Sequence, residues 1–203
     1  MPVRSRAGLV GVVLGLAVGL GALLGAWVRG RAGSEAPPPS NPADAARETP
    51  DVESLRARRL ALPLTGLDVR RLRDTFGDPR DGGAHEALDI PAPRGTRVVA
   101  VDDGVVARLF SGARGGLTVY QYDPSSTYCY YYAHLDGYAP GLREGARLRR
   151  GDLIGFVGTT GNAPPGTPHL HFAIFRLGTP PRWWEGTPVN PYLLWAEAGS
   201  RPL

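Results

Sequence analysis

The sequence contains no lysine, one cysteine and only four histidines in 203 residues. All 23 basic side chains are therefore arginine. Because Cys129 is the one thiol, an internal disulfide and a multi-cysteine zinc site are both excluded. A metal ion would have to be held by histidine and carboxylate side chains.

The basic residues are scattered along the chain, and no arginine-rich stripe with interleaved aromatic side chains is present. Such a stripe is typical of a nucleic-acid groove, so the sequence predicts no nucleic-acid binding. The formal net charge of +4 favours an anionic neighbourhood, such as a cell envelope or a membrane surface.

The segment Ala7–Val28 carries no charged residue and has two arginines close to each end. As a helix it is long enough to cross a hydrocarbon core of about 30 Å. A cleavable signal peptide is the alternative, but its apolar region usually spans only about 7 to 15 residues. We therefore predict one transmembrane helix in an N-terminal membrane anchor formed by residues 1–32.

Residues 33–62 are predicted to form a proline-rich linker followed by a short helix. The first part of this segment is rich in proline, alanine and small polar residues, which cannot bury enough surface to fold. The helix is expected over Asp51–Leu62, before Pro63. The remaining residues, 63–203, are predicted to form one globular domain.

After residue 95 the apolar segments are short and are separated by glycine, proline, aspartate and asparagine, which is typical of strands and turns. We expect a mostly β fold, with an antiparallel sheet arranged as a sandwich or an open barrel. The predicted strands are Thr96–Ala100, Gly104–Phe110, Gly116–Tyr122, Tyr128–His134, Asp152–Val157 and His169–Phe175.

The last predicted strand opens with two histidines, in the stretch GTPHLHFAIF. Side chains alternate between the two faces of a strand, so His169 and His171 share one face. Two adjacent imidazoles in a buried strand are costly to desolvate without partners, and a metal ion or a ligand is a suitable partner. The alternative is an exposed pair on an edge strand.

The other two histidines also lie at a strand end or in a turn bounded by glycine and proline. His85 precedes Asp89 by four positions, and His134 ends a tyrosine-rich strand. This placement favours one shared site. A catalytic zinc ion uses three protein ligands and keeps a fourth position open. A His–Asp pair and one further histidine can supply the three ligands, and the two remaining histidines can transfer protons or stabilise an oxyanion.

Three motifs follow one another in a specific order: H-x-x-x-D at His85 and Asp89, A-H-L at His134, and GTTGNAPPGTPHLHF, which ends in H-x-H. In this order they resemble the lysostaphin/LytM-type zinc endopeptidases of bacterial cell walls. The resemblance implies that His85, Asp89 and His171 bind one zinc ion and that His134 and His169 are catalytic.

The resemblance covers roughly residues 63–195. It also implies an antiparallel sheet with a substrate groove for an extended peptide, and hydrolysis of peptide bonds in the stem or cross-link peptides of peptidoglycan. The expected protein is a single-pass protein of the bacterial inner (cytoplasmic) membrane, with its catalytic domain in the periplasm or outside. Peptidoglycan is the expected partner, and a regulatory protein partner is left open.

Two alternatives remain at this point. The first is a non-hydrolytic module that binds peptidoglycan or regulates an amidase while retaining a metal site. The second is a zinc carboxypeptidase of the D-alanyl-D-alanine type, which also uses an H-x-H pair. In that type the first histidine and the aspartate are normally spaced more widely than His85 and Asp89 are here.

Overall fold

The computed structural model describes residues 49–80 and 83–196. Over these residues the chain is mostly β, and every strand pairing is antiparallel. The predicted anchor and most of the predicted linker lie outside the described residues. Within the described part of the chain, no helix has the length and apolar character needed to cross a membrane.

The helices of the described segments are short. They are α1 (Pro50–Arg58), a 3-10 turn (Val69–Arg71) and α2 (Tyr192–Trp195). The strands are β1 (Pro79–Arg80), β2 (Gly83–Ala84), β3 (Leu88–Pro91), β4 (Arg97–Val99), β5 (Gly104–Gly112), β6 (Gly116–Tyr122), β7 (Tyr128–Tyr138), β8 (Arg147–Leu148), β9 (Leu153–Val157), β10 (His169–Arg176) and β11 (Thr187–Val189).

All six predicted strands are confirmed, as β4, β5, β6, β7, β9 and β10. The sequence did not reveal β1, β2, β3, β8 and β11, which have two to four residues each. Strands this short cannot show a two-residue alternation, and β1, β3 and β11 also contain proline, which argues against a strand.

Nine strands form one sheet, in which the main path runs β11-β10-β7-β6-β5-β8. The path branches, because β3 also pairs with β10, while β9 pairs with both β7 and β4. Strands β1 and β2 form a separate hairpin. The prediction of a mostly antiparallel β fold is confirmed, and its form is an open, branched sheet.

Strand β10 lies inside this sheet, with β7 along one edge and with β3 and then β11 along the other. Leu170, Phe172 and Ile174 occupy one face of β10 and are fully buried. His169 and His171 therefore lie on the opposite face. The sheet thus separates a buried apolar side from the side on which the predicted site residues lie.

The same division applies to β7. Tyr128, Tyr130 and Tyr132 are 0% to 3% exposed and belong to the apolar core. The Tyr132 hydroxyl donates to Oε1 of Gln121 and accepts the Val101 backbone N–H, so this buried polar group is satisfied. These three tyrosines therefore pack in the core.

Helix α1 packs onto the core, although it precedes the predicted domain boundary at Pro63. The Thr49 hydroxyl accepts the backbone N–H of Val52, and Pro50 occupies the first turn, where its missing N–H costs nothing. Val52 and Leu55 are 1% and 0% exposed and join the hydrophobic core. The described core therefore extends N-terminal to residue 63, while the limits of the anchor, the linker and the domain stay predictions.

If α1 is part of the folded unit, Leu55→Ala will lower the free energy of unfolding by about 2–5 kcal/mol, because it removes a fully buried side chain. Urea denaturation of the full chain measures this change. The control is Glu53→Ala, an exposed position on the same helix, where we expect a change within about 0.5 kcal/mol. Equal stability of the two variants would show that α1 does not contribute to the core.

Candidate metal centre and groove

The pairing between β3 and β10 brings the first two site residues together. In the register of this antiparallel pair, Asp89 lies directly opposite His171. Directly opposed residues have Cβ atoms about 4.5–5.5 Å apart, so the two side chains meet on the same face. Nδ1 of His171 is 3.1 Å from Oδ1 of Asp89. His169 lies two residues earlier on the same face of β10.

His85 reaches this point from the turn between β2 and β3. Glu86 adopts a left-handed backbone conformation (φ 57°), and the backbone N–H groups of His85 and Glu86 donate to the carbonyls of Asp78 and Phe76. These bonds hold the turn against the preceding segment. The His85 imidazole then lies with Nε2 beside Asp89 and His171.

Thr75 holds both residues of the H-x-x-x-D motif. Its backbone carbonyl lies 2.9 Å from Nδ1 of His85 and, being only an acceptor, places the ring proton on Nδ1. Nε2 of neutral His85 is therefore left with a free lone pair. The Thr75 hydroxyl accepts the backbone N–H of Asp89 at 3.0 Å and donates to the Ala87 carbonyl. One residue thus fixes the orientation of His85 and the backbone position of Asp89.

Three ligand-type atoms form a compact triangle. Nε2 of His85, Nδ1 of His171 and Oδ1 of Asp89 are separated by 3.1, 3.1 and 3.2 Å. A tetrahedral zinc ion with bonds of about 2.0–2.1 Å needs ligand atoms about 3.3 Å apart. Two imidazole nitrogens and one carboxylate oxygen are also donors that zinc prefers. The three residues therefore fit a zinc ion in both spacing and chemistry.

The charge of Asp89 is strongly stabilised. Burial raises the pKa of its carboxyl, but the close contacts of Oδ1 with the imidazoles of His171 and His85 outweigh burial and hold that pKa well below its ordinary value. Arg80 on β1 donates from Nη2 to the second oxygen, Oδ2, at 2.9 Å. Asp89 is therefore anionic at neutral pH, with Oδ1 directed to the histidines and Oδ2 to the guanidinium.

A bulge in β7 turns His134 toward the same site. On β6 one residue separates the partners Leu117 and Val119, but on β7 two residues separate Leu135 from Tyr132. His134 lies in this bulge with φ 59°, a left-handed conformation that non-glycine residues adopt uncommonly. Strict alternation would place His134 with Tyr132 on the core side, so the bulge redirects its side chain into the groove.

His134 and His169 share a hydrogen-bonding pattern. Nδ1 of His134 lies 2.8 Å from the Thr160 carbonyl, and Nδ1 of His169 lies 2.8 Å from the Thr167 carbonyl. Each carbonyl places the ring proton on Nδ1, so Nε2 of both rings is free to accept or return a proton. The ring centroids are 4.9 Å apart. Burial lowers the pKa of His134, which keeps this imidazole neutral at pH 7.

The five predicted site residues thus lie together, and their individual roles stay predictions. They face a groove of about 1100 Å³. Further residues that line it are Arg80, Gly83, Ala84, Pro91, Arg114, Gly115, Tyr131, Asn162, Ala163, Pro164, Thr167 and Pro168.

The sequence did not reveal Thr75, Arg80, Arg114 or Tyr131 as residues of this site. Thr75 acts through both its backbone carbonyl and its hydroxyl, in contacts that form only in the folded chain, and nothing in the sequence distinguishes Arg80 and Arg114 from the other arginines, 23 in all. Tyr131 was the one with a detectable signal, because it alternates with the three core tyrosines and so faces the histidine side of the sheet. Its ring centroid lies 5.8 Å from that of His171.

Fold and site together define a class: an antiparallel β protein with a two-histidine, one-carboxylate candidate metal centre and two further histidines beside it. The profile of peptidase family M23 matches residues 83–191, which is more than half of the chain. The chain therefore belongs to peptidase family M23, and the resemblance to LytM-type peptidases is confirmed.

Individual relatives agree with this placement. The chain is 37% identical over 131 residues to the L-Ala--D-Glu endopeptidase of Bacillus subtilis, a match that covers 61% of this chain and 40% of that protein. It is 34% identical over 129 residues to the peptidoglycan DD-endopeptidase ShyC of Vibrio cholerae, covering 61% and 29%. The match thus spans less than half the length of either relative.

A solved structure from Ruminococcus gnavus, provisionally named a glycyl-glycine endopeptidase LytM, shares the fold. It is 30% identical, and the match covers 70% of this chain and 60% of that chain with a TM-score of 0.53.

If Thr75 positions the metal ligands, Thr75→Val will weaken the binding of a divalent metal by about 10-fold, because it removes the hydroxyl that holds Asp89 and leaves the backbone carbonyl in place. Competition of the full chain with a chromophoric chelator measures this affinity. Thr65→Val, at an exposed position outside the groove lining, is the matched control. Equal metal affinity of the two variants would contradict the assignment.

Proposed function

We propose that this protein is a membrane-anchored, zinc-dependent endopeptidase that hydrolyses peptide bonds in the stem or cross-link peptides of peptidoglycan. The observation that carries the proposal is the triangle formed by His85, Asp89 and His171, whose ligand atoms lie 3.1–3.2 Å apart. The triangle opens into a groove, and His134 and His169 border the same groove.

His85, Asp89 and His171 would hold one zinc ion. When bound, the ion supplies Lewis-acid chemistry for the hydrolysis of an amide. The carbonyl of Thr75 orients His85, and Arg80 occupies the oxygen of Asp89 that faces away from the triangle. Such outer contacts orient the ligands and lower the cost of assembling the site.

His134 and His169 would carry the proton transfers. Both rings keep Nδ1–H bonded to a backbone carbonyl and leave Nε2 free. A neutral imidazole with a free Nε2 can accept a proton from an attacking water molecule, and the resulting imidazolium can return it to the leaving amine. The imidazolium can also hydrogen-bond a developing oxyanion. These are the roles that we propose for the pair.

The choice of substrate is supported by the relatives. Two of them are named as endopeptidases, one for an L-Ala--D-Glu bond and one for peptidoglycan. The site residues lie within the region matched to peptidase family M23. An extended peptide of peptidoglycan fits an open groove on a sheet face better than it would fit a closed cavity.

The decisive test is digestion of purified sacculi by the zinc-loaded full chain, followed by mass analysis of the released muropeptides. We expect soluble peptide fragments, and the masses will identify the bond. Treatment with a chelator should stop their release, and added zinc should restore it. Binding to sacculi without any release would favour a non-hydrolytic module, and removal of only a terminal D-alanine would favour a carboxypeptidase.

Three single variants complete this test. His85→Ala should lose both the bound zinc and the activity, because it removes a ligand. His134→Ala and His169→Ala should keep about one zinc ion per chain and still lose activity by about 100-fold or more, as expected for residues that transfer protons. Normal cleavage by either of the last two variants would contradict the proposed roles.

We also propose that Ala7–Val28, outside the described residues, anchors the domain in the bacterial inner membrane with the groove in the periplasm or outside. Support comes from the length and uncharged character of this segment. The full chain should remain in the membrane pellet after an alkaline wash, whereas a chain lacking residues 1–32 should become soluble. Release of the full chain by the wash would contradict an uncleaved anchor.

A further inference from the structure

We propose that Arg114 forms a carboxylate-binding subsite beside the metal centre and that it selects peptides with a free carboxylate close to the scissile bond. This inference rests on the proposed function and adds a substrate feature to it. Arg114 lies in the turn between β5 and β6 and lines the groove. Its side chain is exposed and has no partner within the described residues.

The backbone around Arg114 is fixed against the site. The carbonyl of the next residue, Gly115, accepts the backbone N–H of His134 at 2.8 Å. The carbonyl of Arg114 itself accepts the N–H of Asn162 at 3.0 Å. The turn is thus bonded both to the bulge that carries His134 and to the loop that forms one wall of the groove. The backbone that carries the Arg114 guanidinium is therefore held in place next to His134, a proposed catalytic residue.

Two glycines make this close approach possible. Gly116 (φ +63°) and Gly161 (φ +77°) adopt conformations that favour glycine. A Cβ on Gly161 would lie 2.3 Å from the Arg114 carbonyl oxygen, and a Cβ on Gly116 would lie 2.1 Å from Oγ1 of Thr160. The two backbones therefore meet without intervening side chains. The Arg114 side chain therefore begins at a fixed point of the groove wall.

The charges in the groove favour an anionic ligand. Among the lining residues that the structure describes, Asp89 is the one acid, and it is already bonded to Arg80 and to the histidines. Arg114 therefore adds a positive charge that no carboxylate among the described lining residues balances. A guanidinium binds a carboxylate through two parallel hydrogen bonds, which gives both strength and orientation.

Peptidoglycan stem peptides offer such a group in two places. A γ-linked D-glutamate keeps a free α-carboxylate, and the last residue of an uncrosslinked peptide keeps a terminal carboxylate. Both present the same chemistry to Arg114. Amidation of either carboxylate removes its charge and leaves its shape almost unchanged, so amidated peptides can identify which of the two is bound.

The test measures the equilibrium binding of synthetic peptides to the zinc-loaded full chain by calorimetry. Every protein in this test also carries His169→Ala, which prevents turnover of the peptides. The probes are L-Ala-γ-D-Glu-L-Lys, the same peptide with an amidated D-Glu carboxylate, and the same peptide with an amidated C-terminus. We expect one of the two amidations to raise the dissociation constant about 10-fold, as for the loss of a charged hydrogen bond.

In the Arg114→Gln protein this preference should disappear, and the unmodified peptide should bind about 10-fold more weakly. Arg114→Lys should retain part of the preference, because it keeps the charge and loses the paired geometry. Arg143→Gln removes the same charge from an exposed position outside the groove and should change nothing.

Equal binding of all three peptides by the protein with Arg114 intact would overturn the subsite. So would an unchanged preference in Arg114→Gln, because the carboxylate would then be bound elsewhere, for instance at the metal ion. Failure of the proposed function looks different: sacculi would remain undigested by the unmodified chain, while the peptide preference and its dependence on Arg114 would persist.

Discussion

The antiparallel pairing of β3 with β10 is the constraint on which the site depends. Its register places Asp89 opposite His171, so an aspartate and a histidine that are 82 residues apart share one point on the sheet. A shift of one residue would send one of the two side chains to the apolar face. The fully buried Leu88, Leu170 and Phe172 oppose such a shift, because it would expose them. The apolar core thus maintains the polar site.

The second constraint is the bulge at His134, which combines two requirements that a regular strand cannot meet. Strand β7 must present Tyr130 and Tyr132 to the core, and it must also present a histidine to the groove one position out of phase. The extra residue supplies the change of phase, and the left-handed backbone of His134 is part of it. The N–H of His134 is still satisfied by the Gly115 carbonyl, so the bulge leaves no buried donor unpaired.

Most of the sheet and the grouping of the histidines could be predicted from the sequence, because alternation in β10 and the spacing of His85 and Asp89 are local patterns. Strand β3 could not be predicted, because a strand of four residues that includes a proline is too short to show the alternation of buried and exposed side chains. The places of Thr75 and Arg114 in the site could not be predicted from the sequence either. The Thr75 carbonyl contacts the His85 ring and the Arg114 carbonyl accepts the Asn162 N–H, and both contacts exist only once the chain has folded.

The electrostatics of the triangle explain why a cation belongs there. Burial lowers the pKa of His171, which favours a neutral imidazole with a free lone pair, and Asp89 remains anionic. Burial also acts to lower the pKa of His85, but the hydrogen bond and the charge of Asp89 outweigh it, so that pKa is raised. The cluster therefore stabilises positive charge between its own atoms. A proton on His85 and a metal ion compete for this place, and the ion is favoured as pH rises, because metal ligands must be deprotonated.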